Sequence, residues 1–154
     1  MAHPDHLYVL KQGVTSWNQW RQEHPDIQPD LSVTNLREAN LESIDLRKAI
    51  LRRADLHAAN LKMANLQGAD LSLANLSAVD LRMANLSSAN LNGTVLRAAD
   101  LRMANLGFAN LKVADLSDAD MRETVLAGAN LDGAIMVRVK RRAGFLSFFT
   151  KDLS

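Results

Sequence analysis

Between Leu31 and Met136 an apolar residue returns at every fifth position without a gap, at 22 positions; 20 of these are Leu, and Met121 and Met136 complete the set. Two residues before each, 16 of the 22 positions are Ala, the rest being Pro29, Thr34, Ile44, Val79, Thr94 and Thr124. One residue before, 18 of the 22 are Asp or Asn, with Ile50, Val95, Val125 and Ile135 as the exceptions. The unit is therefore Ala-(Asp/Asn)-Leu followed by two variable residues.

Neither regular element accommodates this interval. Five residues advance an α-helix by about 500°, so successive Leu would stand about 140° apart and scatter round the cylinder. On a strand the side chains alternate, so an odd interval sends successive Leu to opposite faces. A chain that turns a corner in every unit buries them all, because four units then close a square coil with each Leu inside. The Ala shares the inward direction, and its small size lets the coil close. Asp and Asn suit the position between them because their short side chains hydrogen-bond nearby backbone and tolerate turn conformations. Coils stacked at about 4.8 Å give, for about 5.5 coils, a rod roughly 26 Å long. Each coil touches only its neighbours, so stability rests on the Leu ladder, each buried Leu contributing about 1.5 to 3 kcal/mol before entropy is subtracted.

The units Ala54-Asp55-Leu56, Ala59-Asn60-Leu61, Ala64-Asn65-Leu66 and Ala69-Asp70-Leu71, and those that follow, resemble the pentapeptide repeat family. The resemblance spans residues 29 to 138. It implies an all-β solenoid, the family's right-handed quadrilateral β-helix, with Leu as the central residue of each face. Ile50, Val95, Val125 and Ile135 depart from the family's Asp/Asn, which places the local turn, and not the fold, in question.

A stack of coils leaves open layers at both ends, and each end needs a cover. The chain divides accordingly into residues 1–29 as an N-terminal helical cap, 30–138 as the repeat β-helix and 139–154 as a C-terminal cap or tail. In the first segment the spacing of Leu7, Leu10, Val14 and Trp17 predicts one helix over residues 5–24, with Asp5 as N-cap and His24-Pro25 as its stop. Tyr8, Trp17 and Trp20 are expected to pack on the first coil. Leader helices bearing Trp precede the repeats in some family members, notably cyanobacterial ones. In the tail, Lys140, Arg141 and Arg142 precede Phe145, Leu146, Phe148 and Phe149. Those four apolar residues are candidates for a cap or oligomer contact; the resemblance supports a homodimer, since several family members pair through their C-terminal ends.

The 154 residues suit one domain, and the absence of Cys excludes disulfides, a thiolate nucleophile and Cys-based zinc sites. No stretch of about 18 apolar residues is present, and the start lacks a secretory pattern, so a cytoplasmic protein without membrane insertion is expected. Of the four His, His3 and His6 fall in an expected mobile terminus, and His57 is expected to be solvated. No metal-binding, phosphate-loop or nucleophile-elbow motif occurs, so the expectation is no enzyme, no cofactor and no metal.

Function is then a matter of surface. Residues 20 apart stand one above another, and on the face of Leu41, Leu61, Leu81, Leu101 and Met121 the first variable position reads Glu42, Lys62, Arg82, Arg102, Arg122. The second reads Ser43, Met63, Met83, Met103, Glu123. Adaptable Met beside Arg suits protein contact, so Lys62, Met63, Arg82, Met83, Arg102, Met103 and Arg122 form the candidate face for an unidentified protein partner. The leading reading is a non-catalytic protein-binding scaffold. The resemblance also raises a DNA mimic that binds gyrase and protects against quinolones. Such a rod would need about 15 negative charges at one per roughly 1.7 Å. Residues 30–138 carry 12 Lys plus Arg against 13 Asp plus Glu, which disfavours it. A third reading is weak nucleic-acid or acidic-surface binding by the basic column, although no aromatic residues interleave with it.

Overall fold

The structure is a computed structural model and describes residues 1–142. Parallel β-bridges join residues one coil apart throughout the repeats, from Asp30 with Ile50 to Asp120 with Lys140. The bridging residue is the one before each Leu, so four bridged columns run along the rod, making a quadrilateral β-helix. Leu46 through Leu116 and Met121 are at most 1% exposed at every unit, as are the Ala residues before them. The core is thus one continuous ladder, and only near the two ends are Leu36, Leu131 and Met136 partly open.

One unit shows how the backbone is satisfied. Leu61 N–H donates to the Asp80 carbonyl and Met63 N–H to that of Arg82, both on the following coil. Asn65 N–H donates back to the Ile44 carbonyl on the preceding coil, and Ala64 N–H closes the corner on the Leu61 carbonyl. That leaves Lys62 N–H, which donates to Asn60 Oδ1 at 3.1 Å. All five N–H groups are therefore used, and the Asp/Asn side chain supplies the acceptor that the backbone lacks. Each of the 18 repeat Asp and Asn residues accepts in this way from the N–H two residues on.

The corner itself bends at the second variable residue, which has positive φ in all 22 units, 18 of them without Gly. With the Leu carbonyl accepting from the Ala N–H three residues on, this is the arrangement of a type II turn. The Ile and Val exceptions leave it intact: after Ile50, Val95, Val125 and Ile135 the corners at Arg53, Ala98, Gly128 and Arg138 keep φ of 54°, 55°, 71° and 54°. The ladder holds the turn once its neighbours are in place.

The N-terminal segment differs from the single helix expected. It forms α1 (Pro4–Lys11) and α2 (Val14–Glu23), broken at Gly13, whose φ of 97° no helix admits. The N-cap of α1 is His3, whose ring accepts from the Asp5 N–H, rather than Asp5. Tyr8 is 68% exposed and does not pack on the coil, whereas Trp17 is fully buried.

This segment hydrogen-bonds to the first coil. The Asp45 carbonyl, which would accept from a preceding coil, takes Trp17 Nε1 at 2.7 Å, and Asp45 N–H donates to Asn18 Oδ1 at 2.8 Å. The Arg47 carbonyl accepts from Arg21 Nη2 at 3.1 Å and the Asp30 carbonyl from His3 N–H at 3.0 Å. His6 is buried, not in a mobile end, and its Nδ1 accepts from Asp30 N–H at 3.0 Å. The proposed tail contacts Phe145, Leu146, Phe148 and Phe149 lie outside the described residues.

Candidate interaction face

Stacking at every twentieth residue places Lys62, Arg82, Arg102 and Arg122 in one column and Met63, Met83 and Met103 in the next. The Met residues occupy corners, with φ of 58°, 59° and 60°, and stand 50%, 49% and 55% exposed. Between the columns runs a shallow groove of about 350 Å³ lined by Lys62, Arg82, Met83, Arg102, Met103, Arg122 and Glu123. Six of the seven residues picked out by register thus line one groove, and Met63 continues the Met column beyond it.

The electrostatics differ from a basic ridge. Each Arg follows by two residues an Asp that flanks the same inward Leu or Met, so carboxylate and guanidinium meet on one face. Arg82 binds Asp80 through Nε at 2.9 Å and Nη2 at 2.6 Å, and Arg102 binds Asp100 at 2.8 and 2.7 Å. Arg122 repeats this with Asp120 at 2.9 and 2.6 Å. Longer contacts cross between coils, Arg82 to Asp100 at 3.7 Å and Arg102 to Asp120 at 3.9 Å, while Lys62 meets Glu42 at 3.4 Å. The Arg82 hydrogen bonds hold the Asp80 carboxyl below its ordinary range against a smaller effect of burial, and Arg122 does the same for Asp120. The charges alternate along a zigzag and cancel locally. Register alone contained this signal, since the Asp at 80, 100 and 120 precede the Arg by two.

His57 is partly buried rather than solvated, with Nδ1 2.8 Å from Ser77 Oγ. Ser77 Oγ donates its proton to Asn75 Oδ1 at 2.7 Å, so His57 Nδ1 must be the donor to Ser77 and cannot act as its base. Among the described residues no cluster of His, Asp and Glu could hold a metal, and no helix is long and apolar enough to cross a membrane.

The family model described as pentapeptide repeats matches residues 34–72, 74–112 and 104–140, in 8 copies. The chain belongs to the pentapeptide repeat family. Membership implies a right-handed quadrilateral β-helix, in keeping with the four columns of parallel bridges. Among solved structures, the pentapeptide repeat protein Rfr23 of the cyanobacterium Cyanothece 51142 is 27% identical, with 84% of this chain and 96% of that chain covered and a TM-score of 0.53. A pentapeptide repeat protein of the Arabidopsis thaliana thylakoid lumen is 31% identical, with 78% and 73% covered and a TM-score of 0.45. QnrB1, a plasmid-mediated fluoroquinolone resistance protein, is 22% identical, with 79% and 69% covered and a TM-score of 0.51, and it shares the fold. No curated protein matches the chain.

Proposed function

We propose that this pentapeptide repeat protein is a non-catalytic scaffold whose Leu81 face binds a protein partner. The observation that carries this reading is the Met column: three large apolar side chains on consecutive coils, each about half exposed, beside a groove. Exposed Met adapts to a partner's shape, and pre-set Arg side chains frame it without ordering cost. Because Arg82, Arg102 and Arg122 are already spent on Asp80, Asp100 and Asp120, the face favours a protein over a phosphate backbone. The balance of 12 basic and 13 acidic residues over 30–138 argues against the gyrase-binding DNA mimic. The same reading takes residues 1–29 as the cap of a rod of about 5.5 coils in a cytoplasmic protein. Residues 139–154, with Phe145, Leu146, Phe148 and Phe149, then form its C-terminal cap or homodimer contact.

The test is a pull-down from the native cell with wild type and a Met83→Asn, Met103→Asn double variant. Asn tolerates the corner conformation, so thermal stability should hold while partner capture is lost. Equal capture by both proteins would refute the assignment of this face.

A further inference from the structure

We propose that a second recess, on the neighbouring face of Leu46, Leu66 and Leu86 below the end of α2, binds a phosphate group. The recess holds about 370 Å³ and is lined by Arg21, Pro25, Arg47, Lys48, Gln67, Gly68 and Ser88. Its shape follows from one corner column, Lys48, Gly68 and Ser88, in which two small residues succeed a long one. The Lys48 stem leans over Gly68, its Cγ lying 3.7 Å from where a Cβ would stand.

The charges here do not cancel as they do on the Met face. Arg47 is matched by Asp45, through Nε at 2.9 Å and Nη2 at 2.6 Å, and its Nη1 makes no hydrogen bond among the described residues. Lys48 has no carboxylate within ion-pair distance among the described residues. Arg21 is 4% exposed and gives Nη1 to the Ile27 carbonyl at 2.7 Å and Nη2 to that of Arg47 at 3.1 Å. Its Nε is buried without a partner, and among the described residues no carboxylate lies within ion-pair distance of the guanidinium, Asp45 acting on it only from farther off. The negative pole of α2 offsets only part of that charge. A guanidinium withdrawn from water projects its charge farther than a solvated one.

The recess therefore carries an excess of two positive charges, from Arg21 and Lys48. Its lining offers donors that have no partner among the described residues: the Lys48 ammonium, Arg47 Nη1, the Gln67 amide and the Ser88 hydroxyl. A dianion with oxygens on several sides matches both the charge and the spread of donors, which a planar monoanionic carboxylate does not. Arg21 floors the site and acts through its field, while Lys48 and Arg47 make contact.

The test is titration of the full chain with inorganic phosphate at fixed ionic strength, followed by phosphorus NMR and by thermal melting, with acetate as control. Lys48→Gly removes the contact charge at a corner with φ of 59°, where Gly is at ease, and Lys112→Gln removes one charge elsewhere. Wild type and Lys112→Gln should bind phosphate and melt higher, Lys48→Gly should bind at least tenfold more weakly, and acetate should do neither. Glycerol phosphate run in parallel separates the sources: equal or tighter binding points to a phosphomonoester, weaker binding to the free anion, and both support the site. Binding unaffected by Lys48→Gly, an equal response to acetate, or no binding of either phosphate would overturn it.

Discussion

Thr34, Thr94 and Thr124 occupy the same inward slot with different outcomes. Thr94 Oγ1 donates to the Leu71 carbonyl at 3.0 Å and Thr124 Oγ1 to that of Leu101 at 2.8 Å, each 23 residues back. Counting back equally from Thr34 leads out of the stack, and its buried Oγ1 has no partner. Thr94→Val should therefore cost about 1 kcal/mol, while Thr34→Val should be neutral or stabilising, as read from denaturant midpoints. A second pair concerns Gly128, where an added Cβ would stand 2.5 Å from Phe108 Cδ1 at a φ of +71°. Gly128→Ala should cost about 1 to 2 kcal/mol, and a Phe108→Ala background should return part of it in a double-mutant cycle. The corner conformation was open to inspection in the sequence, because Gly68, Gly93, Gly128 and Gly133 all fall at the second variable position. It stays inconspicuous since 18 other side chains accept the same φ there, held by the ladder.

Among the elements, the N-terminal helices couple the stack to pH through His6. Its Nδ1 must be unprotonated to accept from Asp30 N–H, and burial first, then the neighbouring His3, lowers its pKa below the usual 6.5. Asp30 and Asp5 pull the other way and Trp20 covers one side of the ring at 5.3 Å. The unfolded chain therefore takes up the proton first, so this contribution is complete above pH 6.5 and is lost as pH falls toward the lower folded value. Melting at pH 7.5 and 5.5 should show a drop for wild type and a smaller one for His6→Gln, whose Oε1 accepts without titrating. Trp17 as an anchor was legible from spacing and aromatic type. The role of His6 was not, because it depends on where the first coil leaves the Asp30 N–H.

For the molecule as a whole, the Leu interval specified the square coil, the inward Ala and the columns that meet at the Met face. The neutralised Arg column lies in the same register, in Asp80, Asp100 and Asp120, but it is hidden there because each Asp already has a corner role that accounts for it. Leu81, fully buried at mid-stack, sets the scale of the core: Leu81→Ala should cost about 2 to 5 kcal/mol in chemical denaturation. Leu81→Asp should abolish the folded state, as circular dichroism would show.

Because successive coils stack through one repeated backbone pattern around a ladder of Leu, the interior hardly distinguishes one unit from the next. Inserting a single extra unit would leave each Leu among Leu while carrying every downstream side chain a quarter of the way round the shaft. The Arg102 column would then stand over strangers, and Met103 would face a different direction from Met83. Only the addition of one complete lap of four units would preserve what the outside presents to the world.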